Sequence, residues 1–303
     1  HNPNEIWETQ LKAIIEVLKK TKISPERIHS LGITNQRETT IIWNKKTGQP
    51  IYNAIVWQDK RTVEICDDLK KQNLESIFQN KTGLLLDPYF SGTKIKWIFD
   101  NNPSLYILAK NNQLAFGTID SWLIWKLTNG KQHVTDVTNA SRTLIFNIKE
   151  LKWDQELIDI IGIPENILPK VVSCSEHVGN TEKNILGAEI PITGIAGDQQ
   201  ASLFGQMCLE EGDIKNTYGT GCFCMMNTGE KIVKSKNRLL STIAYQINNK
   251  TFYAIEGSIF TAGSLVQWLR DQLGIISNAS EIESLASTVK DSGGVTFIPA
   301  LSG

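Results

Sequence analysis

The chain has 303 residues, of which 41% are hydrophobic and 21% are charged. This composition predicts a soluble globular protein with one large domain or two ordinary ones. Lys and Arg total 31 and Asp and Glu total 32, so the formal net charge is −1. That balance argues against a nucleic-acid partner, because such proteins present a basic face. No apolar run approaches the ~18 residues of a membrane span.

The five cysteines are scattered and have no metal-ligand spacing, which predicts a reducing, cytoplasmic location and no metal held by cysteine. Cys222 and Cys224 alternate within an apolar run, so both are predicted to lie on one face of a strand. The four histidines occur in unrelated contexts, and none is predicted to serve catalysis or a metal site.

Residues 5–20 predict an amphipathic helix, because apolar residues recur there at helical spacing. The apolar run over residues 30–34 predicts a strand that ends in the polar segment Asn35-Gln36-Arg37-Glu38. A hairpin is predicted next, with a strand over residues 39–43, a Lys-Lys-Thr-Gly turn and a return towards Ile51. Further elements predicted in this half are helices over residues 62–72, 94–100 and 118–127 and a strand over residues 142–148.

Residues 192–196 predict a short buried strand, and Asp198 opens a predicted helix that runs to Phe204, since Asp is favoured at helix starts. An acidic turn at residues 210–213 marks the predicted boundary between a domain over residues 1–208 and another over residues 209–303. The second domain is predicted to contain strands over residues 214–218, 222–227, 241–247, 252–256 and 295–298, a hairpin turn at Asn248-Asn249, and helices over residues 260–272 and 281–289. Strands mixed with helices and hairpins predict mixed α/β sheets and not a purely parallel, doubly wound sheet.

The segment Gly197-Asp198-Gln199-Gln200 places an acid where a helix begins. About twenty residues later, Asn216-Thr217-Tyr218-Gly219-Thr220-Gly221 forms a turn rich in hydroxyls and backbone N–H groups, which can hold a phosphate. Together they predict phosphoryl transfer to an alcohol whose hydroxyl Asp198 orients. The sequence has neither a Walker G-x-x-x-x-G-K-[ST] motif nor a G-x-G-x-x-G motif, so P-loop kinase and Rossmann folds lack their signatures.

Six segments occur in the order and spacing of one known family and span nearly the whole chain. They are Gly32-Ile33-Thr34-Asn35-Gln36-Arg37-Glu38-Thr39-Thr40, Tyr52-Asn53-Ala54-Ile55-Val56-Trp57-Gln58, Asp87-Pro88-Tyr89-Phe90-Ser91-Gly92-Thr93-Lys94, Thr135-Asp136-Val137-Thr138-Asn139-Ala140-Ser141-Arg142-Thr143, residues 194–200 and residues 216–223. The chain resembles the glycerol kinases of the FGGY carbohydrate kinase family. The resemblance implies an actin-like, ribonuclease-H-like pair of α/β domains with a cleft between them. It also implies ATP- and Mg²⁺-dependent conversion of glycerol to sn-glycerol 3-phosphate.

The resemblance assigns the catalytic base to Asp198 and places the glycerol pocket among Arg37, Glu38, Trp57, Tyr89, Asp198, Gln199 and Phe223. An arginine and a glutamate suit a polyol, because its hydroxyl groups both donate and accept. The residues alone leave ordinary structural roles open. Asp198 can be a helix cap, and the Arg37-Glu38 pair can be a solvated ion pair. Trp57 and Phe223 can be core residues.

The resemblance assigns nucleotide binding to Gly219, Thr220, Gly221, Gly263 and Gln267. Thr220 would contact the phosphates of ATP. A Gly-Thr-Gly turn by itself is weak evidence, since many hairpins contain one. Without the resemblance, Gly263 and Gln267 would be interpreted as structural.

The chain begins with His1 instead of Met and stops in a Gly/Pro turn, so we expect it to be a piece of a longer protein. The resemblance implies that a first phosphate loop precedes His1 and that most of the adenosine site follows Gly303. The first domain would then be nearly complete and the second truncated. We expect little or no kinase activity from these 303 residues alone, and a homo-oligomer for the complete protein.

Two alternatives remain open. One is another FGGY kinase that acts on a pentulose or gluconate, although the neighbourhoods of Arg37 and Trp57 resemble the glycerol kinases specifically. The other is a non-catalytic, actin-like scaffold piece, which the absent segments would allow.

The segment before the Ile190-Pro191-Ile192 strand departs from the resemblance. Regulated bacterial glycerol kinases carry a Gly/Arg-rich loop there that binds fructose 1,6-bisphosphate, whereas this chain has Glu189 where arginine is expected. A carboxylate repels a bisphosphate, so we expect weak or absent inhibition by that sugar. Kinase assays of the longer protein with the bisphosphate test this, and inhibition acting through this loop would contradict it.

Overall fold

The computed structural model describes residues 1–301 and consists of mixed α/β layers. The helices, in chain order, are α1 (Pro3–Thr21), α2 (Val63–Lys71), α3 (Glu75–Thr82), α4 (Ser91–Asn101), α5 (Leu105–Lys110), α6 (Ile119–Leu127), α7 (Val137–Ala140), α8 (Gln155–Ile161), α9 (Lys183–Leu186), α10 (Asp198–Gly205), α11 (Gly263–Asp271) and α12 (Glu281–Ala286). Short 3-10 helices occur at Pro25–Arg27 and Glu165–Ile167. Across residues 1–301, no helix is both long and apolar enough to cross a membrane.

The strands are β1 (Leu31–Asn35), β2 (Ile41–Asn44), β3 (Leu114–Gly117), β4 (Val134–Asp136), β5 (Phe146–Asn147), β6 (Lys152–Trp153), β7 (Lys170–Val172), β8 (Gly179–Asn180), β9 (Pro191–Gly197), β10 (Ile214–Tyr218), β11 (Cys222–Asn227), β12 (Leu240–Ile247) and β13 (Lys250–Ile259). One sheet has the order β1-β9-β8, in which β1 and β9 run parallel. A second, antiparallel sheet has the order β10-β11-β13-β12. Pairs of strands form the smaller ladders β2-β3, β4-β7 and β5-β6.

The two main sheets are joined by shared apolar packing. Val137 and Ala140 of α7 belong to the same buried cluster as Ile243 of β12 and Tyr253 of β13. In a larger cluster, Phe223 of β11 packs with residues of α3, α4 and α8. Burial of apolar surface between the two parts of the chain therefore holds the second sheet against the first.

Most of the predicted helices and strands are confirmed. The helices predicted over residues 5–20, 62–72, 94–100, 118–127, 198–204, 260–272 and 281–289 correspond to α1, α2, α4, α6, α10, α11 and α12. The strands predicted at 30–34, 192–196, 214–218, 222–227, 241–247 and 252–256 correspond to β1 and β9 to β13. Cys222 and Cys224 share one face of β11, and it is the more exposed face.

Three strand predictions need correction. Only Phe146–Asn147 of the strand predicted over residues 142–148 forms, since Leu144 has a φ of +66°, which interrupts extended backbone. Residues 295–298 form no strand with any part of the described chain. The predicted hairpin after β2 forms only in part. The chain turns back and makes single antiparallel bridges at Trp43–Pro50 and Thr40–Ile55, whereas the continuous ladder of β2 is with β3.

Gly83 ends α3 in a left-handed conformation, with a φ of +76°. It also packs closely against β12, because a Cβ atom at this position would lie 2.3 Å from the carbonyl oxygen of Ser241. Gly162 ends α8 at nearly the same φ (+81°), but a Cβ atom there would meet nothing within 4 Å. Gly162→Ala should therefore lose only about 1 kcal/mol of unfolding free energy, from conformational strain. Gly83→Ala should lose about 2 kcal/mol more, because backbone must also shift.

Urea unfolding of the two variants measures this difference. Equal losses for Gly83→Ala and Gly162→Ala would show that the contact of α3 with β12 is not tight.

Candidate active site

Parallel pairing of β1 with β9 brings two distant segments of the chain together. Asn35 at the end of β1 lies opposite Gly197 at the end of β9, so the residues that follow both strands emerge at one edge of the sheet. Arg37 and Glu38 follow β1, and Asp198 begins α10 directly after β9. As a result, Arg37 Nε lies 3.6 Å from Asp198 Oδ1, although 161 positions separate the two residues.

The turn before Asp198 leaves no space for a side chain. A Cβ atom at Gly197 would lie 2.7 Å from Cγ and 2.8 Å from Cδ of Arg37. The backbone N–H of Gly197 also donates to Thr138 Oγ1 at 2.9 Å, which fixes the turn against α7. Close approach at Gly197 thus allows the guanidinium of Arg37 and the carboxylate of Asp198 to be neighbours.

One small hollow of about 50 Å³ collects all the residues predicted to bind the alcohol. Its lining consists of Gln36, Arg37, Glu38, Trp57, Tyr89, Asp198, Gln199 and Phe223. Only Gln36 among these was not singled out from the sequence. The side chain of Asp198 is 44% exposed, whereas those of Arg37 and Glu38 are each 1% exposed. The carboxylate of Asp198 therefore remains reachable beside two buried charges.

Aromatic rings form one wall of the hollow. Trp57 meets Tyr89 and Phe223 edge to face, with ring centroids 5.8 Å and 5.7 Å apart. Phe260, at the end of the β13 segment, packs against both Trp57 and Tyr89. Such edge-to-face contacts are favourable beyond the area they bury, and they make the wall rigid as well as apolar.

Four buried charges form a closed network beneath the hollow. Arg37 donates to both carboxylate oxygens of Glu256, at 2.6 Å and 3.0 Å. Arg142 donates to Glu256 at 2.9 Å and to Glu38 at 2.6 Å. Two arginines and two glutamates give no net charge, which lowers the cost of burying them. Burial acts to raise the pKa of Glu256, but Arg142 and Arg37 outweigh it and lower that pKa to about 2.

Glu38 differs from Glu256 in its backbone and in its titration. Its φ is +59°, an uncommon value for a residue other than glycine, and burial raises its pKa against the lowering effect of Arg37 and Arg142. Its carbonyl oxygen accepts from Ser91 Oγ at 3.1 Å and from Lys94 Nζ at 3.3 Å. The strained backbone is thus held by two side chains of α4.

Glu256 and Lys215 were not singled out from the sequence, and Lys94 and Arg142 occur there only as members of the quoted motifs. A signal exists for Glu256, because a charge at an inward position of an apolar strand must have a buried partner. Lys94 gives no such signal, since lysines on amphipathic helices are usually exposed.

Lys215 links the second sheet to Asp198 through Gln199. Its ammonium donates to Gln199 Oε1 and, at 2.9 Å, to Thr217 Oγ1. Because its oxygen is taken, Gln199 turns its Nε2 towards Asp198, donating to Oδ2 at 3.1 Å. Burial lowers the pKa of Lys215 to about 8. A cation from β10 therefore fixes the amide that contacts the exposed carboxylate.

The predicted nucleotide-binding residues lie outside the hollow and next to one another. Gly263 N donates to the carbonyl of Gly219 at 2.9 Å, and Ala262 N donates to Thr220 at 2.8 Å, so the turn packs on the start of α11. The N–H groups of Thr220 and Gly221 bond no other backbone group of the described residues. Gln267 is exposed one turn further along α11. The turn thus offers N–H groups and a hydroxyl to an anion.

The chain also matches a known protein family over most of its length. The model of the N-terminal domain of the FGGY family of carbohydrate kinases matches residues 1–205, and that of the C-terminal domain matches residues 214–303. The chain belongs to the FGGY family of carbohydrate kinases. The actin-like α/β fold expected from the sequence is confirmed for this FGGY chain.

Individual relatives of this FGGY chain are glycerol kinases. Those of Petrotoga mobilis and Chromobacterium violaceum are each 57% identical over 303 residues, covering 100% of this chain and 61% of the relative. The crystal structure of Plasmodium falciparum glycerol kinase with ADP superposes with a TM-score of 0.89 at 41% identity, covering 100% of this chain and 61% of that one. The chain therefore spans about 61% of the length of the curated relatives it matches.

Lys94 gives the site a pH dependence that can be measured. It is fully buried, its Nζ donates to the carbonyl of Tyr89 at 2.5 Å, and burial lowers its pKa to about 7. In the unfolded chain, lysine has a pKa of about 10.4. Between about pH 7 and about pH 10.4 the unfolded chain therefore binds a proton on Lys94 that the folded chain does not. For this reason the free energy of unfolding rises with pH, on the order of 2 kcal/mol from pH 7 to pH 9.

Urea unfolding at pH 7 and pH 9 should show this gain in the unsubstituted chain and lose it in Lys94→Met. The control is Lys96→Met, two residues further along α4, where the lysine is partly exposed and pairs with Asp100. This variant should keep the gain. The same gain in Lys94→Met would mean that Lys94 is charged in the folded protein at pH 7 to 9.

Proposed function

We propose that this chain is the glycerol-binding part, with a portion of the nucleotide-binding part, of an ATP-dependent kinase that makes sn-glycerol 3-phosphate. One observation carries the proposal: a half-exposed carboxylate, Asp198, shares a small hollow with a buried guanidinium and a buried carboxylate. The glycerol kinases of Petrotoga mobilis and Plasmodium falciparum support it, since they match this chain over its whole length.

In this proposal, Asp198 accepts the proton of the attacking hydroxyl and aligns its lone pair. Phosphoryl transfer proceeds through a loose transition state, so positioning and charge contribute more than proton removal. Arg37 and Glu38 bind the other hydroxyl groups, one as donor and the other as acceptor. Gln199 holds the carboxylate of Asp198 through the 3.1 Å hydrogen bond described above.

Trp57, Tyr89 and Phe223 are assigned to the carbon side of glycerol. Their rings present apolar surface, and a bound polyol would turn its C–H groups towards them and its hydroxyl groups towards Arg37 and Glu38. The rings also keep water from the reacting hydroxyl, which suppresses hydrolysis of the phosphoryl donor.

We assign the phosphates of ATP to the turn of Gly219, Thr220 and Gly221, and the rest of the nucleotide to Gly263 and Gln267. The N–H groups of Thr220 and Gly221, which bond no backbone group of the described residues, fit an anion, and this observation supports the assignment. ATP would supply the phosphoryl group, and Mg²⁺ accompanying it would neutralise part of the charge of its phosphates. We further propose a boundary between residues 208 and 209, a cytoplasmic location and a homo-oligomer for the longer protein.

The second candidate is another FGGY sugar kinase, which would act on a pentulose or gluconate. The small volume of the hollow, about 50 Å³, favours a three-carbon polyol over these larger substrates. An assay panel of glycerol, dihydroxyacetone, xylulose and gluconate distinguishes these substrates. Turnover of none of them by the longer protein would favour a non-catalytic scaffold.

Asp198→Asn in the longer protein tests the assignment of the base. The substitution keeps the shape but cannot accept a proton, so kcat for glycerol phosphorylation should fall by about 100-fold or more. The Kd for glycerol should change much less, because Arg37 and Glu38 remain. Steady-state kinetics and calorimetric titration measure the two quantities.

Asp159→Asn, on the exposed face of α8, is the matched control and should leave kcat unchanged. Near-normal phosphorylation by Asp198→Asn would remove Asp198 from the catalytic role. The 303-residue chain assayed alone should show little or no turnover, and clear turnover would show that the missing length is dispensable.

A further inference from the structure

We infer that Glu256 is a positioning residue of the substrate pocket, which restricts Arg37 to a single free donor, its Nε–H. The inference rests on the proposed function, because it concerns how that pocket presents Arg37 to glycerol. Glu256 lies outside the hollow and is therefore assigned no contact with the substrate.

The five N–H donors of Arg37 can be accounted for one by one. Nη1 donates to Glu256 Oε2 at 2.6 Å and to Gln200 Oε1 at 3.2 Å. Nη2 donates to Glu256 Oε1 and to Tyr89 Oη, both at 3.0 Å. Four donors are thus consumed within the protein. The terminal fork of Arg37 therefore faces inward, towards Glu256.

The remaining donor, Nε–H, lies at the edge of the hollow. Nε is 3.5 Å from Glu38 Oε1 and 3.6 Å from Asp198 Oδ1, both longer than good hydrogen bonds. Two acceptors at this distance leave the N–H poorly satisfied in the ligand-free protein. A substrate hydroxyl can accept from Nε while it donates to one of the carboxylates.

Glu256 can fix the orientation of the Arg37 guanidinium because its own position is fixed by its surroundings. It lies on β13, between ladder partners Met225 of β11 and Leu240 of β12, and its side chain is 0% exposed. Arg142 holds the same carboxylate from the other side at 2.9 Å. A bidentate arginine–carboxylate pair of this kind fixes the plane of the guanidinium as well as its position.

The pair also crosses between the two family domains. Arg37 belongs to the region matched by the N-terminal domain and Glu256 to the region matched by the C-terminal domain. The orientation of a substrate-binding donor in one domain is therefore set by the other domain. Glycerol affinity should depend on the docking of the second sheet even though most of the hollow belongs to the first domain.

The experiment uses the 303-residue chain with Glu256→Asp, Glu256→Gln and the control Glu283→Gln, on the exposed side of α12. Glu256→Asp keeps the charge but shortens the side chain by one methylene, so the network stays neutral while the guanidinium loses its fixed plane. NMR follows hydrogen exchange of the Arg37 Nε–H, identified by its absence in Arg37→Lys. Calorimetry measures glycerol affinity.

Exchange of the Arg37 Nε–H in the ligand-free chain should accelerate about tenfold or more in Glu256→Asp, because the inward hydrogen bonds that immobilise the guanidinium weaken. Glycerol affinity should fall by about tenfold in the same variant and further in Glu256→Gln. Glu283→Gln should match the unsubstituted chain in both measurements.

Unchanged exchange and affinity in Glu256→Asp would overturn the inference. Failure of the unsubstituted chain to bind glycerol would instead overturn the proposed function, and the ligand-free exchange measurement would still decide the role of Glu256. If Glu256→Gln does not fold, Glu256→Asp alone carries the test.

Discussion

The closed network of Arg37, Glu38, Arg142 and Glu256 is the interaction on which the rest of the site depends. Each arginine bonds Glu256, and Arg142 also bonds Glu38, so each of the four charges has a partner of opposite sign, although Arg142 Nη1 has no hydrogen-bond partner among the described residues. Removing charges from water is expensive, and a buried pair that loses one partner typically costs about 3–5 kcal/mol. The network therefore tolerates neither a missing member nor separation of the two sheets. The network holds these otherwise flexible side chains in fixed positions, so a small polar ligand can bind beside them with little reorganisation.

Asp198 differs from the charge network, because its side chain is half-exposed at the rim of the hollow while its charged neighbours are buried. Its position follows from backbone architecture: parallel pairing of β1 with β9, a strand-to-helix turn at Gly197 without a side chain, and an N–H bond from that turn to Thr138. Gln199 then holds the carboxylate and is itself held by Lys215 from the second sheet. A reactive group can remain accessible and still be well oriented when the constraint comes from the backbone and from a neighbouring amide, not from burial of the group itself.

The shape of the hollow depends on three independent connections between the two parts of the chain. Apolar packing of α7 on β12, the Arg37–Glu256 pair and the Lys215–Gln199 bond all cross it. The first supplies nonspecific burial, whereas the two polar connections are directional and therefore define the relative placement of individual atoms. The phosphate-binding turn proposed at Gly219 to Gly221 leads directly into β11, which carries Phe223 into the aromatic wall. The aromatic wall and the turn proposed to bind phosphate are thus neighbours along one hairpin.

The sequence by itself determined many of the helices and strands and the identity of the residues around the hollow. Apolar spacing located α1, because it reflects which face of a helix is buried, and the preference of Asp for helix starts located α10. The family resemblance selected Arg37, Glu38, Trp57, Tyr89, Asp198, Gln199 and Phe223, which the structure brings together. Only the tertiary structure decided what lies beneath them. Glu256 and Lys94 are each single charged residues within ordinary elements, and each bonds a partner more than fifty positions away along the chain. The interruption at Leu144 and the pairing of β2 with β3 likewise depend on long-range packing. A local sequence pattern indicates whether a residue is buried or exposed, but it does not identify the distant residue that the side chain contacts. The role of a buried charge depends on that contact.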